Sequence, residues 1–64
     1  MMEELKAHLL KCKKVTVREY ISQATGEVRM YITFHYLKGV KELSYGNSDE
    51  VTKLIDDYLM GKQI

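Results

Sequence analysis

Residues 28–37, VRMYITFHYL, decide the fold because their side chains alternate between two sets without a break. A period of two sends successive side chains to opposite faces of a β-strand. We therefore predict that this segment is the central strand of a sheet, with one strand paired on each side. One face then carries Val28, Met30, Ile32, Phe34 and Tyr36, and the other carries Arg29, Tyr31, Thr33, His35 and Leu37.

The preceding segment, residues 15–21, is predicted to pair with the central strand as a hairpin. Residues 22–27 form the turn, in which Gly26 is able to take a positive φ. If Ile21 pairs with Val28, apolar side chains lie opposite apolar side chains on one face of the sheet, and polar side chains lie opposite polar ones on the other. A shift of the pairing by one residue would remove both matches. The pairs are Val17–Ile32 and Val15–Phe34 on the apolar face, and Arg18–Tyr31 and Thr16–Thr33 on the polar face.

A second hairpin is predicted to follow, with Lys38 and Gly39 as a two-residue turn. It completes a three-stranded antiparallel meander. The predicted pairs are Phe34–Leu43 and Ile32–Tyr45 on the apolar face, and His35–Glu42 and Thr33–Ser44 on the polar face.

A helix is predicted before the strands and another after them. The segment Met2–Lys11 has apolar side chains at helical spacing, acids in its first turn and lysines at its end. After the strands, Asn47 or Ser48 caps the second helix, and Glu50 completes a capping box if Asn47 is the cap. The apolar stripe of that helix is Val51, Leu54, Ile55, Tyr58 and Leu59, and Gly61 ends it.

These elements predict a two-layer α+β fold of order α-β-β-β-α, with residues 1–64 as a single domain. The C-terminal helix should pack on the apolar face of the sheet. The short N-terminal helix has three candidate placements, namely beside the C-terminal helix, across the polar face, or against a second subunit. The core face of the sheet is predicted to hold Val15, Val17, Val28, Met30, Ile32, Phe34, Leu43 and Tyr45.

Composition favours a small cytoplasmic protein. Cys12 is the one cysteine, so there is no disulfide framework and a reducing compartment is expected. No apolar run approaches a membrane span, and the opening MMEELK carries acids where a signal peptide carries bases. The net charge is +1, but residues 47–60 hold four acids against one lysine. The C-terminal helix is therefore acidic and the remainder mildly basic.

The patterns predict no catalytic or metal site. His8 and Cys12 lie four residues apart, with His35 as a third candidate ligand, but structural zinc takes four ligands. The expectation is therefore that Cys12 is a small buried side chain and His8 is exposed. His35 opposite Glu42 could act as an oriented base, yet such pairs are ordinary sheet stabilisers. We expect a protein that is not an enzyme and uses no cofactor, metal or small-molecule substrate.

The polar face of the sheet holds the residues most suited to binding. A solvated face of an antiparallel sheet normally looks polar, but tyrosine and arginine are also enriched at interface hot spots. Arginine and threonine on a sheet can also read the major groove of DNA, although no dense basic stripe for phosphates is present. The candidates from this geometry are Arg18, Tyr20, Arg29, Tyr31 and His35.

Residues 45–54, YGNSDEVTKL, resemble a segment of the small uracil-DNA glycosylase inhibitors of certain Bacillus phages. That segment has Tyr-Gly-Asn-Thr, one further residue, and then Asp-Glu-Ile-Ile-Lys-Leu. Upstream, both chains have a Val-Thr strand, a polar turn with glycine and a Tyr-rich strand.

The resemblance implies a non-enzymatic homodimer that mimics DNA and captures the glycosylase's hydrophobic finger in an apolar groove. Tyr45 matches the groove tyrosine of the family, Glu42 matches an acidic residue three positions before it, and Asp49 and Glu50 lie in the matching segment. Lys41 stands where the family has a groove phenylalanine. The family also places a helix before this segment and a strand after it, whereas the patterns here predict the reverse order.

A second resemblance concerns the order of elements. Three strands followed by a helix, with Ala24, Thr25 and Gly26 in the first turn, resemble the arm-DNA-binding domains of tyrosine integrases, which insert the sheet into the major groove. Glu27 follows the glycine where that family tends to be basic.

We therefore expect a small inhibitor or adaptor of phage or mobile-element type that binds and blocks a bacterial host protein, such as a uracil-DNA glycosylase or another DNA-processing enzyme. A homodimer is expected. The alternative is a DNA-binding module that uses the same polar face. The predicted partner contacts are Glu42, Tyr45, Asp49 and Glu50 from the first resemblance, and Arg18, Tyr20, Arg29, Tyr31 and His35 from the sheet geometry.

Overall fold

The computed structural model of the chain describes residues 2–64. Its elements follow the predicted order, and the α+β class is confirmed. They are α1 (Met2–Lys11), β1 (Lys14–Ile21), β2 (Val28–Tyr36), β3 (Gly39–Gly46) and α2 (Asp49–Leu59). The strands form one antiparallel sheet in the order β1-β2-β3, with β2 in the middle.

The first hairpin has the predicted register. Ile21 pairs with Val28, and all four predicted cross-strand pairs are present. The loop is closed by backbone hydrogen bonds from Ser22 N to the Glu27 carbonyl at 2.8 Å and from Gly26 N to the Ser22 carbonyl at 2.7 Å. Gly26 has a φ of 76°, the left-handed conformation that favours glycine.

The predicted register of the second hairpin is wrong by two residues. Tyr36 pairs with Gly39, so Leu37 and Lys38 form the turn, and Ile32 pairs with Leu43. Among residues 2–64 only glycines have a positive φ, so this turn is not the type I′ turn that Gly39 suggested. A shift of two residues leaves every side chain on its face, so matching the polarity of opposed residues could not distinguish the two registers.

Both helices lie on the apolar face of the sheet, which decides among the three placements of α1. Leu5 and Leu9 of α1 are fully buried, in the same cluster as Ile32 and Phe34 of β2. The α1 helix therefore packs on the sheet beside α2, and no element of residues 2–64 covers the opposite face of the sheet. The buried residues are Leu5, Leu9, Met30, Ile32, Phe34, Val51, Leu54 and Ile55.

Ser48 is the N-cap of α2. Its side-chain oxygen accepts a hydrogen bond from Val51 N at 3.4 Å, and its φ of −143° is extended. With Ser48 as the cap, the N3 position belongs to Val51, so the capping box that required Asn47 and Glu50 is not formed. Leu59 was expected in the buried stripe but is 62% exposed, because Tyr58, one position earlier, is the last side chain of α2 that packs against the core.

The end of α2 is a Schellman motif around Gly61. Gly61 N donates to the Tyr58 carbonyl at 3.1 Å, and Lys62 N donates to the Asp57 carbonyl at 2.8 Å. Gly61 has a φ of 79°, as the predicted helix stop requires. The reversal of the chain brings Ile64 back against the core.

Replacing Gly61 by alanine should lower the free energy of unfolding by about 1–2 kcal/mol, because a Cβ is disfavoured in the left-handed region. The matched control is Gly46→Ala, since Gly46 has no positive φ and open space around its Cα. That variant should stay within about 0.5 kcal/mol of the wild type. Urea unfolding measures both, and equal stability of the two variants would contradict the assigned motif.

Candidate binding surface

The sheet has one face turned away from the helices, the open face. It holds the even-numbered residues of β1 and β3 and the odd-numbered residues of β2, because cross-strand partners share a face. Each of these side chains is exposed or half-buried. The open face consists of Lys14, Thr16, Arg18, Tyr20, Arg29, Tyr31, Thr33, His35, Val40, Glu42 and Ser44.

Arg18 is fixed across the open face. Its Nη2 donates to Glu42 Oε2 at 2.8 Å, which joins β1 to β3 over the central strand. Its guanidinium carbon lies 5.9 Å from the centre of the Tyr20 ring, within cation–π range. Both charged side chains remain about half exposed, at 48% each, so the pair contributes little to stability and leaves the guanidinium accessible.

Tyr20 and Tyr31 form an aromatic pair beside Arg18. Their ring centres are 5.4 Å apart at an interplanar angle of 74°, an edge-to-face arrangement. Arg29 Nη2 donates to Ser44 Oγ at 2.9 Å, so the second arginine is also held on the face. Near the end of the β1–β2 hairpin, these two tyrosines and Arg29 border an open concavity of about 440 Å³.

His35 is not paired with Glu42, so that part of the sequence prediction is wrong. The corrected register sets His35 opposite Val40 and Glu42 opposite Thr33. The ring Nε2 of His35 is instead hydrogen-bonded to Thr16 Oγ1 at 3.0 Å, across β1 and β2. The described residues therefore give this histidine no carboxylate to orient it as a base.

Charge is distributed unequally between the two layers. The open face carries three basic side chains, Lys14, Arg18 and Arg29, against the single carboxylate of Glu42. The α2 helix on the other side carries four carboxylates against Lys53. A partner that approaches the open face therefore meets a weakly basic surface.

The remaining three predicted contacts lie elsewhere. Glu42 and Tyr45 are an odd number of positions apart on β3, so they lie on opposite faces of the sheet. Tyr45 is half-buried on the helix side, and Asp49 and Glu50 are exposed in the first turn of α2. The nine predicted contacts therefore form two separate groups, six on the open face and three at the N-terminal end of α2.

His8, in the last turn of α1, belongs to a half-buried cluster that the sequence patterns did not predict. The His8 ring stacks on Phe34 with centres 4.9 Å apart, and its Nδ1 is hydrogen-bonded to the Tyr36 hydroxyl. The expectation that His8 is exposed was therefore wrong. The signal was present in the helical spacing, because His8 lies between Leu5 and Cys12 on the side of α1 that meets the sheet.

The three candidate zinc ligands do not come together. His8 and Cys12 belong to the helix side, whereas His35 lies on the open face. Across residues 2–64, no group of three or more His, Cys, Asp and Glu side chains is arranged to hold a metal ion.

Burial raises the pKa of three tyrosines, Tyr36, Tyr45 and Tyr58, above the ordinary value. Each ring lies against the helix-side core and loses part of its hydration, which disfavours the charged phenolate. Smaller contributions that also raise the pKa come from Cys12, beside Tyr36 and Tyr58, and from Glu4, beside Tyr45.

Comparison of the chain with models of protein families, with curated proteins and with solved structures found no match. No helix within residues 2–64 has the length and apolar character needed to cross a membrane.

The raised tyrosine pKa values predict a loss of stability at alkaline pH. Above about pH 10, unfolded tyrosines ionise while the folded ones keep their protons, so the unfolded state binds fewer protons and the free energy of unfolding falls as pH rises. Ultraviolet titration of tyrosinate should show groups that ionise above the ordinary range. The Tyr45→Phe variant should lose part of that late titration, and an unchanged titration curve would contradict the assignment.

Proposed function

We propose that this chain is a small non-enzymatic binding protein that docks a partner protein on the open face, blocks it, and acts as a homodimer. The observation that carries the proposal is the set of contacts that fix Arg18, Tyr20, Arg29 and Tyr31 on an uncovered sheet. Tyrosine and arginine are the side chains over-represented among interface hot spots.

Preorganisation supports this function. Binding costs about 0.5–1.5 kcal/mol for each flexible side chain that becomes immobilised. Arg18 is already held by Glu42, Arg29 by Ser44, and Tyr20 by Tyr31. Part of the ordering cost is therefore met in the free protein, while the exposed guanidinium groups and rings stay accessible to a partner.

The charge of the open face favours a protein partner over duplex DNA. Arg18 already donates a hydrogen bond to the Glu42 carboxylate on the same face, and the open-face residues include three basic side chains. A DNA-binding surface gains most of its affinity from many phosphate contacts. A modestly acidic protein surface suits this face better, and the fixed arginines can offer paired hydrogen bonds to its carboxylates.

The proposed partner class is a bacterial host protein, with phage or mobile-element origin for this chain. A DNA-processing enzyme such as uracil-DNA glycosylase is suggested by the resemblance of residues 45–54 alone. In this chain a strand ends at Gly46 and a helix follows, the reverse of the order in that inhibitor family. The open face therefore supports the general role as a binding protein, whereas the blocking role and that target rest on the resemblance.

Removing the arginines of the open face should abolish partner capture. A pull-down from bacterial lysate, quantified by mass spectrometry, should recover a partner with the wild type and at least roughly tenfold less of it with Arg18→Ala/Arg29→Ala or with Tyr20→Ala/Tyr31→Ala. The matched control is Lys6→Ala/Lys11→Ala, which removes two basic side chains from the exposed surface of α1, on the helix side of the sheet, and should leave capture unchanged.

Two further assays separate the alternatives. A gel-shift titration with duplex DNA should show no binding, and binding that weakens steeply with salt and is lost in Arg18→Ala/Arg29→Ala would overturn the protein partner in favour of DNA. Uracil excision measured with stoichiometric protein tests the named target. Unchanged excision removes uracil-DNA glycosylase from the proposal.

A further inference from the structure

The sheet ends in two exposed strand edges. With the strand order β1-β2-β3, the outer sides of β1 and β3 have no strand partner in residues 2–64. Such edges are templates for pairing with another strand, and many proteins block them with proline. The sequence contains no proline.

The register identifies which backbone amides face each edge. Ser22 N bonds to the Glu27 carbonyl, and hydrogen-bonded pairs recur at every second position of an antiparallel ladder. The backbone groups of even-numbered β1 residues therefore form hydrogen bonds with odd-numbered β2 residues. The backbone groups of even-numbered β2 residues point the other way and form hydrogen bonds with odd-numbered β3 residues, as in the Ile32–Leu43 pair. The outward amides are those of Val15, Val17 and Glu19 on β1, and of Val40, Glu42 and Ser44 on β3.

The β3 edge also has apolar surface that the monomer does not fully cover. Leu43 and Tyr45 are only half-buried, although both lie on the core face. Together with Glu4 and Ser44 they border an open concavity of about 200 Å³ beside the edge. A strand added here would cover both side chains and satisfy the outward amides.

We propose that a second copy of this chain pairs antiparallel with β3, centred on Leu43, so that two three-stranded sheets join into one. Centring the pairing on Lys41 or Glu42 would set like charges opposite each other, which is destabilising. Centring it on Leu43 sets Leu43 opposite its own copy, Lys41 opposite Tyr45, and Glu42 opposite Ser44. This register spans residues 40–46 with no like charges facing, and it keeps all the helices on one side of the joined sheet.

The β1 edge is less suited to self-pairing. Centring on Arg18 or Glu19 opposes like charges, and centring on Val17 sets the apolar Val15 against the carboxylate of Glu19. The β3 edge instead places the ammonium of Lys41 against an aromatic ring, a favourable cation–π arrangement. The pairing uses the backbone edge of β3 and leaves the side chains of the open face uncovered, although Glu42 and Ser44 belong to both the edge and the face.

The inference specifies the surface of the homodimer that is part of the proposed function. A contact of one strand on one strand is small, so the dimer should be weak and dependent on concentration. Its clearest signature in the wild-type protein is amide hydrogen exchange. The outward amides of Glu42 and Ser44 should exchange roughly tenfold more slowly at millimolar than at micromolar protein, while those of Val15 and Val17 should be unaffected.

Cross-linking gives an independent test in a Cys12→Ser background, which removes the native thiol. Leu43→Cys should form an intermolecular disulfide under mild oxidation, because the two copies of position 43 face each other. Val17→Cys, the corresponding centre of the β1 edge, should remain monomeric. Circular dichroism checks that both variants are folded, and the exchange measurement needs no variant.

The outcomes distinguish the edge from the homodimer itself. A sedimentation mass of 7.5 kDa at millimolar protein would overturn both. A mass of twice that value would support the homodimer. If the amides of Val15 and Val17, or the amides of neither edge, then became more protected from exchange at high concentration, the assignment of the interface to β3 would be overturned. Capture of a partner by the open face is measured separately and depends on neither result.

Discussion

The structure depends on the packing of Leu5 and Leu9 of α1 and the stripe of α2 against Ile32 and Phe34 of the central strand. All four of the named side chains are at most 1% exposed. Burying each such side chain contributes about 1.5–3 kcal/mol, and the core within residues 2–64 holds eight buried residues. Of these eight, α1 supplies two, β2 three and α2 three, so both helices contribute to covering the middle of β2.

Concentrating both helices on one face has a direct consequence for function. In the described part of the chain no layer covers the opposite face, and the side chains there make contacts with each other. Those contacts are the Arg18–Glu42 pair, the Arg29–Ser44 and Thr16–His35 hydrogen bonds, and the Tyr20–Tyr31 rings. The same architecture that builds the core therefore leaves exposed a weakly basic surface, which is the surface proposed to bind a partner.

Most of the fold could be predicted from the sequence, because period-two and period-3.6 patterns report directly which side chains face the core. The register of the second hairpin could not, since a shift of two residues preserves every face and only backbone geometry distinguishes the two pairings. The predicted cross-strand pair of His35 and Glu42 depended on that register, so it was wrong for the same reason. The position of α1 could not be predicted either. Leu5 and Leu9 show that the helix has an apolar side, but they do not show which surface that side covers.

The most direct test of this arrangement is a set of nuclear Overhauser effects from α1 in the isotope-labelled protein. We expect contacts from the methyl groups of Leu5 and Leu9 to the ring of Phe34, and none to the ring of Tyr31. Contacts between these leucines and Tyr31 would place α1 on the other face of the sheet, cover the open face, and contradict the account.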